Sequence, residues 1–353
     1  MGFSAPIRKS SATSRVLSAP PAQTPLAART RVKKLLNDPH DAIDEMLAGA
    51  AAAHGDILAP VIDAPRAIAR TDLPRPGKVG IVVGGGSGHE PGFWGYVGPG
   101  LADAAAIGNV FSAPPPDPIL AATRAVDAGA GVLYIYGNFS GDVMNFDMAA
   151  ELAAAEGIAV RSIVTTDDVA SSPAESRAAR RGVAGNVFVF KVAGAAAERR
   201  LPLDACESIA RRANARTYTM GIALEAGSLP ETRRPSFVIG PEDMEIGVGV
   251  HGEPGIARQP VATADAAADL MLDRILSEMP ATEGDRVAVL DGGRARAEGV
   301  GGAGPAGLCL AQALSGQGLA IGIVEQQPQA AIAAPAFDGR EIALTQPSAD
   351  TLR

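Results

Sequence analysis

Short apolar runs rich in β-branched residues alternate along the chain with alanine-rich stretches. Four of these runs have the length and composition of buried strands, at residues 79–83, 132–136, 160–164 and 187–190. The stretches at 119–127 and 144–156 have the composition of helices. Because strands that alternate with helices form a parallel sheet covered by helices, the pattern predicts an α/β fold.

A second unit of similar character is predicted from residue 204 onward. Its elements are a helix that ends at Ala215, strands at 237–239, 245–250, 286–290 and 319–324, and a helix at 264–279. Thr263 is expected to cap the last helix, and Pro280 to end it. Since 353 residues exceed the size of a typical single core, we predict two α/β domains, at 32–203 and 204–353. Each would have a mostly parallel or mixed sheet flanked by helices.

The first 37 residues contain seven Lys or Arg residues and no acidic residue. Such a start can be a transit peptide. Four prolines interrupt any amphipathic helix there, so we expect residues 1–31 to be a disordered extension or the product of an upstream start codon. No apolar run reaches the ~18 residues that cross a bilayer. We therefore expect a cytoplasmic protein that makes no membrane contact.

Composition narrows the classes of partner. The net charge is −8, which excludes the cationic surface that nonspecific nucleic-acid binding needs. The two cysteines, Cys206 and Cys309, lack CxxC spacing and indicate inert thiols in a reducing compartment. Neither they nor the four histidines form a metal-binding pattern, so no metal site is predicted.

Two of the four histidines lie in glycine-rich segments, at 84–91 and 247–255. An imidazole on such a loop can approach a small ligand closely, which points to chemistry at His89 and His251. Asp142 follows the second predicted strand, and the ligands of parallel sheets gather at the carboxyl ends of the strands. Three strand-end loops therefore offer two imidazoles and a carboxylate.

Other interpretations of these residues stay open. Residues 84–88 could cradle a phosphate, as in a nucleotide-binding enzyme, although this segment matches neither GxxxxGK[ST] nor GxGxxG. Asp142 could cap the helix that follows it. Glu90 and Glu253 are expected to accept hydrogen bonds that order their loops.

Several separate motifs agree in order and spacing with one known family. They lie at residues 83–91, 96–100, 141–146, 167–168, 181–185 and 244–255. Over residues 32–290 the chain resembles the substrate-binding K subunit of dihydroxyacetone kinase, the DhaK family. The resemblance implies a two-domain subunit that forms a homodimer.

The resemblance also implies a function. The chain would hold dihydroxyacetone, erythrulose or another tetrulose or pentulose for phosphorylation by a separate L-type subunit. That partner would carry ATP-Mg or an ADP recharged by phosphoenolpyruvate, so this chain would need no cofactor of its own. His251 would bind the ketose as a covalent hemiaminal, and His89 and Asp142 would share the proton transfers. The substrate-binding residues would be Gly86, Ser87, Gly88, His89, Gly137, Asp142 and Ala113. A regulator that senses a ketose without catalysis is the alternative.

Three departures from the family bear on substrate and fold. Gly137 stands where many members carry a Lys that contacts the substrate, and Ala113 stands where many carry Ser. Loss of these groups would leave room beside the ligand, which predicts a preference for a four- or five-carbon ketose over dihydroxyacetone. Tyr136 or a water could instead fill that room. The tail after residue 290 does not align with the family and is either a divergent domain end or the product of a shifted reading frame.

Overall fold

The computed structural model describes residues 31–281, 286–289 and 320–323. The strands of the main sheet are β1 (Leu58–Val61), β2 (Ala64–Arg70), β3 (Gly80–Ser87), β4 (Ala104–Val110), β5 (Val132–Gly137) and β6 (Val160–Thr165). Their spatial order is β1-β2-β4-β3-β5-β6. Strands β3 to β6 are parallel to one another, whereas the β1–β2 hairpin joins the sheet antiparallel at β4.

Helices cover both faces of this sheet because its strand residues are apolar on both sides. The helices are α1 (Ala42–Ala53), α2 (Pro116–Val126), α3 (Ser140–Ala155), α4 (Asn186–Glu198) and α5 (Leu203–Ala215). Ile81 and Val83 pack with α1, α4 and α5 on one face. Val82 points to the opposite face and packs with α2 and α3. The predicted α/β class is therefore confirmed.

Most elements predicted for the first unit are confirmed, but the strand predicted at 187–190 is wrong. These residues form the first turn of α4, where Val189 and Phe190 are buried against the sheet. A short apolar run does not distinguish a buried strand from a buried helix. Here the alanine-rich sequence that follows it extends the helix to Glu198.

The second unit contains an antiparallel sheet of β7 (Ile222–Ala223), β8 (Asp243–Ile246) and β9 (Ala257–Pro260), followed by α6 (Ala264–Leu276). The Thr263 hydroxyl accepts a hydrogen bond from the Ala266 N–H at 3.3 Å, which confirms the predicted cap. Strand β8 ends earlier than predicted because Gly247, with φ +74°, turns the chain.

Two further strands follow, and one predicted strand is wrong. β10 (Arg286–Val289) pairs in parallel with β11 (Ala320–Ile323), close to the strands predicted at 286–290 and 319–324. Residues 237–239 form no strand, since Pro235 and Pro241 flank this short run and proline cannot donate to a ladder.

The predicted division at residue 204 stays a prediction. Helix α5, which opens the second unit in that division, packs through Cys206 and Ala210 against the main sheet. The extension at 1–30, Cys309 and most of the tail after 290 lie outside the described residues. Within the described part, no helix has both the length and the apolar character to cross a bilayer.

A buried ionic cluster joins the N-terminal ends of the central strands. Asp103, just before β4, accepts hydrogen bonds from the Lys78 ammonium, the Arg70 guanidinium at 3.0 Å and the Ile81 N–H at 2.9 Å. Glu198 also accepts from Arg70. All three of these charged side chains are buried, namely those of Asp103, Lys78 and Arg70. The loss of one partner would therefore leave an uncompensated buried charge and destabilise the fold.

Candidate functional site

The carboxyl ends of strands β3 to β6 lie at one edge of the main sheet. The loop after β3 carries His89, and α3 begins shortly after β5 with Asp142 in its first turn. The hairpin loop between β8 and β9 carries His251. The ring centroids of His89 and His251 lie 4.9 Å apart. The structure thus brings together the two histidines that the sequence singled out.

Two phenylalanines enclose the pair of imidazoles. The Phe139 ring stands edge-on to His251 at a centroid distance of 4.6 Å, and the Phe111 ring lies 5.4 Å from that of His89. Phe111 has φ +59°, a conformation that costs a bulky residue about 1–2 kcal/mol. Its N–H donates to the Ser87 carbonyl at 2.9 Å, which holds the ring toward the site.

Glu253 fixes the orientation of the His251 ring. Its Oε1 lies 2.9 Å from His251 Nδ1, and its Oε2 accepts the His251 backbone N–H at 3.0 Å. Partial burial favours a higher pKa for Glu253, but the bonds from the His251 ring and the backbone outweigh it and lower the pKa to about 2. An ionised Glu253 selects the tautomer with a proton on Nδ1, which leaves the lone pair on Nε2.

Asp142 is a buried carboxylate within the first turn of α3. Burial raises its pKa to about 7, against the opposing effects of a positive charge on His251 and of its own backbone N–H. Among the described residues, none donates a hydrogen bond to its Oδ1. The interpretation of Asp142 as a helix cap is wrong, because the helix begins two residues earlier and Phe139 holds the cap position. A carboxyl group with this pKa can exchange a proton near neutral pH.

The glycine-rich segment after Val83 is largely strand rather than turn. Gly86 pairs with β4, and a Cβ there would lie 2.7 Å from the Ser112 backbone nitrogen, so glycine permits the close approach of that chain. The Ser87 hydroxyl is buried and donates to the Gly108 carbonyl at 2.8 Å. The turn itself begins at Gly88, whose φ is +87° and whose N–H donates to Glu90 Oε1 at 3.1 Å. Glu90 therefore orders its loop, as expected.

The space predicted beside Gly137 is filled by protein atoms, starting at the position that a Cβ would take. A Cβ on Gly137 would lie 2.7 Å from the Gly182 carbonyl oxygen and 3.1 Å from the Phe139 ring. Tyr136 does not fill this region, because its ring is buried and stacked on Phe146 at 4.2 Å. The Cβ of Ala113 lies near Gly141, at the start of α3. A side chain larger than glycine at 137 would have to displace main chain.

Three contributors to the site were not found from the sequence. Glu253 was assigned only to loop order, whereas its main partner is the His251 ring. Phe139, which contacts the His251 ring, was not singled out. Arg181, which donates to the Gly247 carbonyl of the His251 loop at 2.8 Å, appeared only within the motif at 181–185. The His-x-Glu spacing in a glycine-rich hairpin loop was a usable signal for Glu253, but the contacts of Phe139 and Arg181 depend on the tertiary fold. Within the described residues, no group of three or more His, Cys, Asp or Glu side chains is arranged to hold a metal ion.

Comparison with known proteins identifies relatives for most of the chain. A family model described as the Dak1 domain matches residues 48–297. The chain is 47% identical over 262 residues to a protein of Listeria innocua named PTS-dependent dihydroxyacetone kinase 2, dihydroxyacetone-binding subunit DhaK, covering 74% of this chain and 78% of that protein. It is 41% identical to a Mycolicibacterium smegmatis protein named D-erythrulose kinase, over 74% of this chain and 45% of that protein.

Two solved structures of proteins related to dihydroxyacetone kinase also match most of this chain. The dihydroxyacetone kinase from C. freundii, in complex with AMP-PNP and Mg²⁺, matches with a TM-score of 0.70 and 31% identity, over 80% of this chain and 51% of that one. The present chain therefore spans about half the length of that kinase. A protein described as the dihydroxyacetone kinase operon co-activator DhaQ matches with a TM-score of 0.69 and 29% identity, over 79% of this chain and 85% of that one.

Proposed function

We propose, from the premise that this chain belongs to the Dak1 domain family, that it is the substrate-binding subunit of a kinase that phosphorylates a short ketose. The observation that carries the proposal is the His251–Glu253 pair beside His89 and Asp142. This arrangement offers a nucleophile for a carbonyl group and a proton acceptor for a hydroxyl group in one site.

The first step is covalent capture. His251 Nε2 forms a bond to the ketose carbonyl carbon, and the π electrons of the C=O bond move to its oxygen. That oxygen takes up a proton from solvent to become the hemiaminal hydroxyl. The ring gains positive charge in this step, and ionised Glu253 stabilises that charge through Nδ1. Polyols are rejected because they have no carbonyl group.

The second step is proton transfer from the hydroxyl that accepts the phosphoryl group. Asp142 takes this proton as the hydroxyl oxygen bonds to phosphorus and the bond to the nucleotide breaks. Its pKa of about 7 suits both uptake and release of the proton at neutral pH. His89, against the His251 ring, bonds to a second substrate hydroxyl or shares the proton. Positioning supplies most of the acceleration in such transfers.

The phosphoryl group comes from a partner, an L-type subunit that carries ATP-Mg or an ADP recharged by phosphoenolpyruvate. The name of the Listeria relative, a dihydroxyacetone-binding subunit of a PTS-dependent kinase, supports a division of labour between subunits. The nucleotide complex of the longer C. freundii chain supports a nucleotide donor. A cytoplasmic homodimer remains a prediction.

Reconstitution tests this proposal. The purified chain, an L-type subunit and a phosphoryl donor are combined with dihydroxyacetone, and the ketose phosphate is measured. We expect turnover only when both proteins are present, and none with Asp142→Asn. Exposed Glu151 lies on the same helix, and Glu151→Gln should retain turnover. Phosphorylation by the chain alone would contradict the division of labour.

A ketose-sensing regulator is the second candidate, supported by the similarity to the operon co-activator DhaQ. Both candidates bind the ketose, so binding does not separate them. The reconstitution does: a chain that captures dihydroxyacetone but gives no ketose phosphate with L-type subunits and either donor is a regulator.

The substrate is a three- or four-carbon ketose, by analogy with relatives named for dihydroxyacetone and for erythrulose. Gly137 provides no cationic donor to hold a triose hydroxyl. A tetrulose compensates with its additional hydroxyl. The preference for a longer ketose therefore rests on the lost donor, and not on vacant volume at Gly137, which the Gly182 carbonyl and Phe139 occupy.

A further inference from the structure

We propose that Arg181 is a positioning residue that holds the His251 hairpin loop against the carboxyl end of β6. The inference rests on the proposed function, because it concerns the placement of the nucleophile. Arg181 Nε donates to Asp168 Oδ2 at 2.9 Å, and Nη2 donates to the Gly247 carbonyl at 2.8 Å. The guanidinium group of this partly buried side chain, 13% exposed, thus joins a carboxylate that follows β6 to the first residue of the His251 loop.

Hydrogen bonds hold both Arg181 and Asp168 in place within the first unit. The Asp168 N–H donates to the Arg181 carbonyl at 3.1 Å, and the Arg181 N–H donates to Ser171 Oγ at 3.0 Å. The Ala170 N–H donates to Asp168 Oδ1 at 3.0 Å. Both the main chain and the side chain of Arg181 are therefore held by residues outside the His251 loop.

On the loop, the guanidinium and the carboxylate that orients the nucleophile both lie next to Gly249. A Cβ on Gly249 would clash with both Arg181 Nη1 and Glu253 Oε2, so both groups lie against the same glycine. Glu253 in turn holds His251 Nδ1. Arg181 therefore holds the start of the loop through the Gly247 carbonyl, and Glu253 holds the reacting ring within the same loop.

This placement matters because the reacting groups come from two units. His89 and Asp142 follow strands of the main sheet, whereas His251 belongs to the β8–β9 hairpin. A displacement of about 1 Å between such groups can cost ~100-fold in rate. The other end of the loop is held within its own sheet, by the Gly255 N–H to Glu245 Oε1 at 2.8 Å, and this bond does not fix the distance to the main sheet.

Three variants separate positioning from general stability. Arg181→Met leaves the Asp168 carboxylate buried without its partner, which is expected to destabilise the fold. The double variant Asp168→Asn/Arg181→Met removes that charge as well, so its melting temperature should recover while the bond to Gly247 stays lost. Arg181→Lys keeps the charge but cannot hold Asp168 and Gly247 together as a planar guanidinium does. Arg161→Gln, at a half-exposed arginine near α5, is the matched control.

Two readouts are measured. Hydrogen exchange follows the Gly247, Gly249 and Gly252 amides, whose N–H groups are bonded and whose protection reports loop order without any ketose. NMR of [2-¹³C]dihydroxyacetone follows the conversion of the carbonyl carbon to a tetrahedral adduct. We expect the double variant and Arg181→Lys to exchange these amides faster and to bind the ketose at least ~10-fold more weakly. The Arg161→Gln control should match the wild type in both.

Wild-type protection and adduct affinity in the folded double variant would overturn the proposal. If the double variant does not fold, Arg181→Lys decides by the same two readouts. An absence of adduct in the wild type would instead refute the proposed function, and the exchange data would still judge the role of Arg181 in holding the loop.

Discussion

Replacement of Asp142 by Asn should stabilise the protein and abolish its activity. The ordinary pKa of 3.8 rises to about 7 in the fold, so the ionised form is disfavoured where it is buried. That difference corresponds to about 4 kcal/mol between the protonation states. The stability contributed by the protonated form is complete below pH 3.8 and is lost as pH rises through about 7. At pH 8 the wild type therefore bears this cost, and Asp142→Asn does not.

The assay is urea unfolding of both proteins at pH 4.5, 6 and 8. We expect the variant to exceed the wild type by about 2–4 kcal/mol at pH 8 and by much less at pH 4.5, because the wild-type carboxyl is then largely protonated. Glu151→Gln on the exposed side of α3 should show no such pH-dependent difference. A variant that is less stable at pH 8, or a difference that does not change with pH, would refute the assignment of Asp142 as a buried carboxyl with a raised pKa.

Three further predictions concern the Glu253–His251 pair, the buried ionic cluster at Asp103 and the substrate preference. Glu253→Gln removes the charge that stabilises the ring of the adduct, so ketose affinity should fall on the order of 100-fold. Because the pKa of Glu253 is about 2, wild-type affinity should show no titration of this group between pH 5 and 8. NMR of labelled dihydroxyacetone checks both expectations. Asp103→Ala should destabilise the fold by about 3–5 kcal/mol in urea unfolding, because Lys78 and Arg70 lose their buried partner, yet leave the adduct intact; unchanged stability would show that the cluster contributes little. In the reconstituted kinase, kcat/KM should be higher for erythrulose than for dihydroxyacetone, and a tenfold preference for dihydroxyacetone would show that loss of the Lys at position 137 does not set the substrate.

Half of the main sheet, strands β3, β5 and β6, could be predicted from the sequence, because these strands are short apolar runs separated by helical stretches. Strands β1, β2 and β4 were not predicted. The error at 187–190 arose where periodicity carries no information: a four-residue apolar run fits either a strand or a buried turn of helix. The glycines at 84–86 indicated a turn, but they are strand residues that let β4 and the following chain approach closely.

The chemical residues were predictable where a strand-end loop or a family motif marked them. His89, Asp142 and His251 meet at one site because strand-end loops of the main sheet face the β8–β9 hairpin. The roles of Glu253 and Arg181 depend on distances between segments far apart in the chain, and no local pattern encodes such distances. The same holds for Gly137, whose neighbour in space is Gly182.

The most direct test of the central claim is the site of ketose attachment. Wild-type protein and His251→Ala are each mixed with [2-¹³C]dihydroxyacetone, and the carbonyl resonance is followed by NMR, with correlation to the histidine ring. The wild type should convert the carbonyl to a tetrahedral carbon coupled to His251 Nε2, and His251→Ala should bind the ketose only as the free carbonyl. A tetrahedral adduct that persists in His251→Ala, or one attached to a different residue of the wild type, would contradict covalent capture by His251.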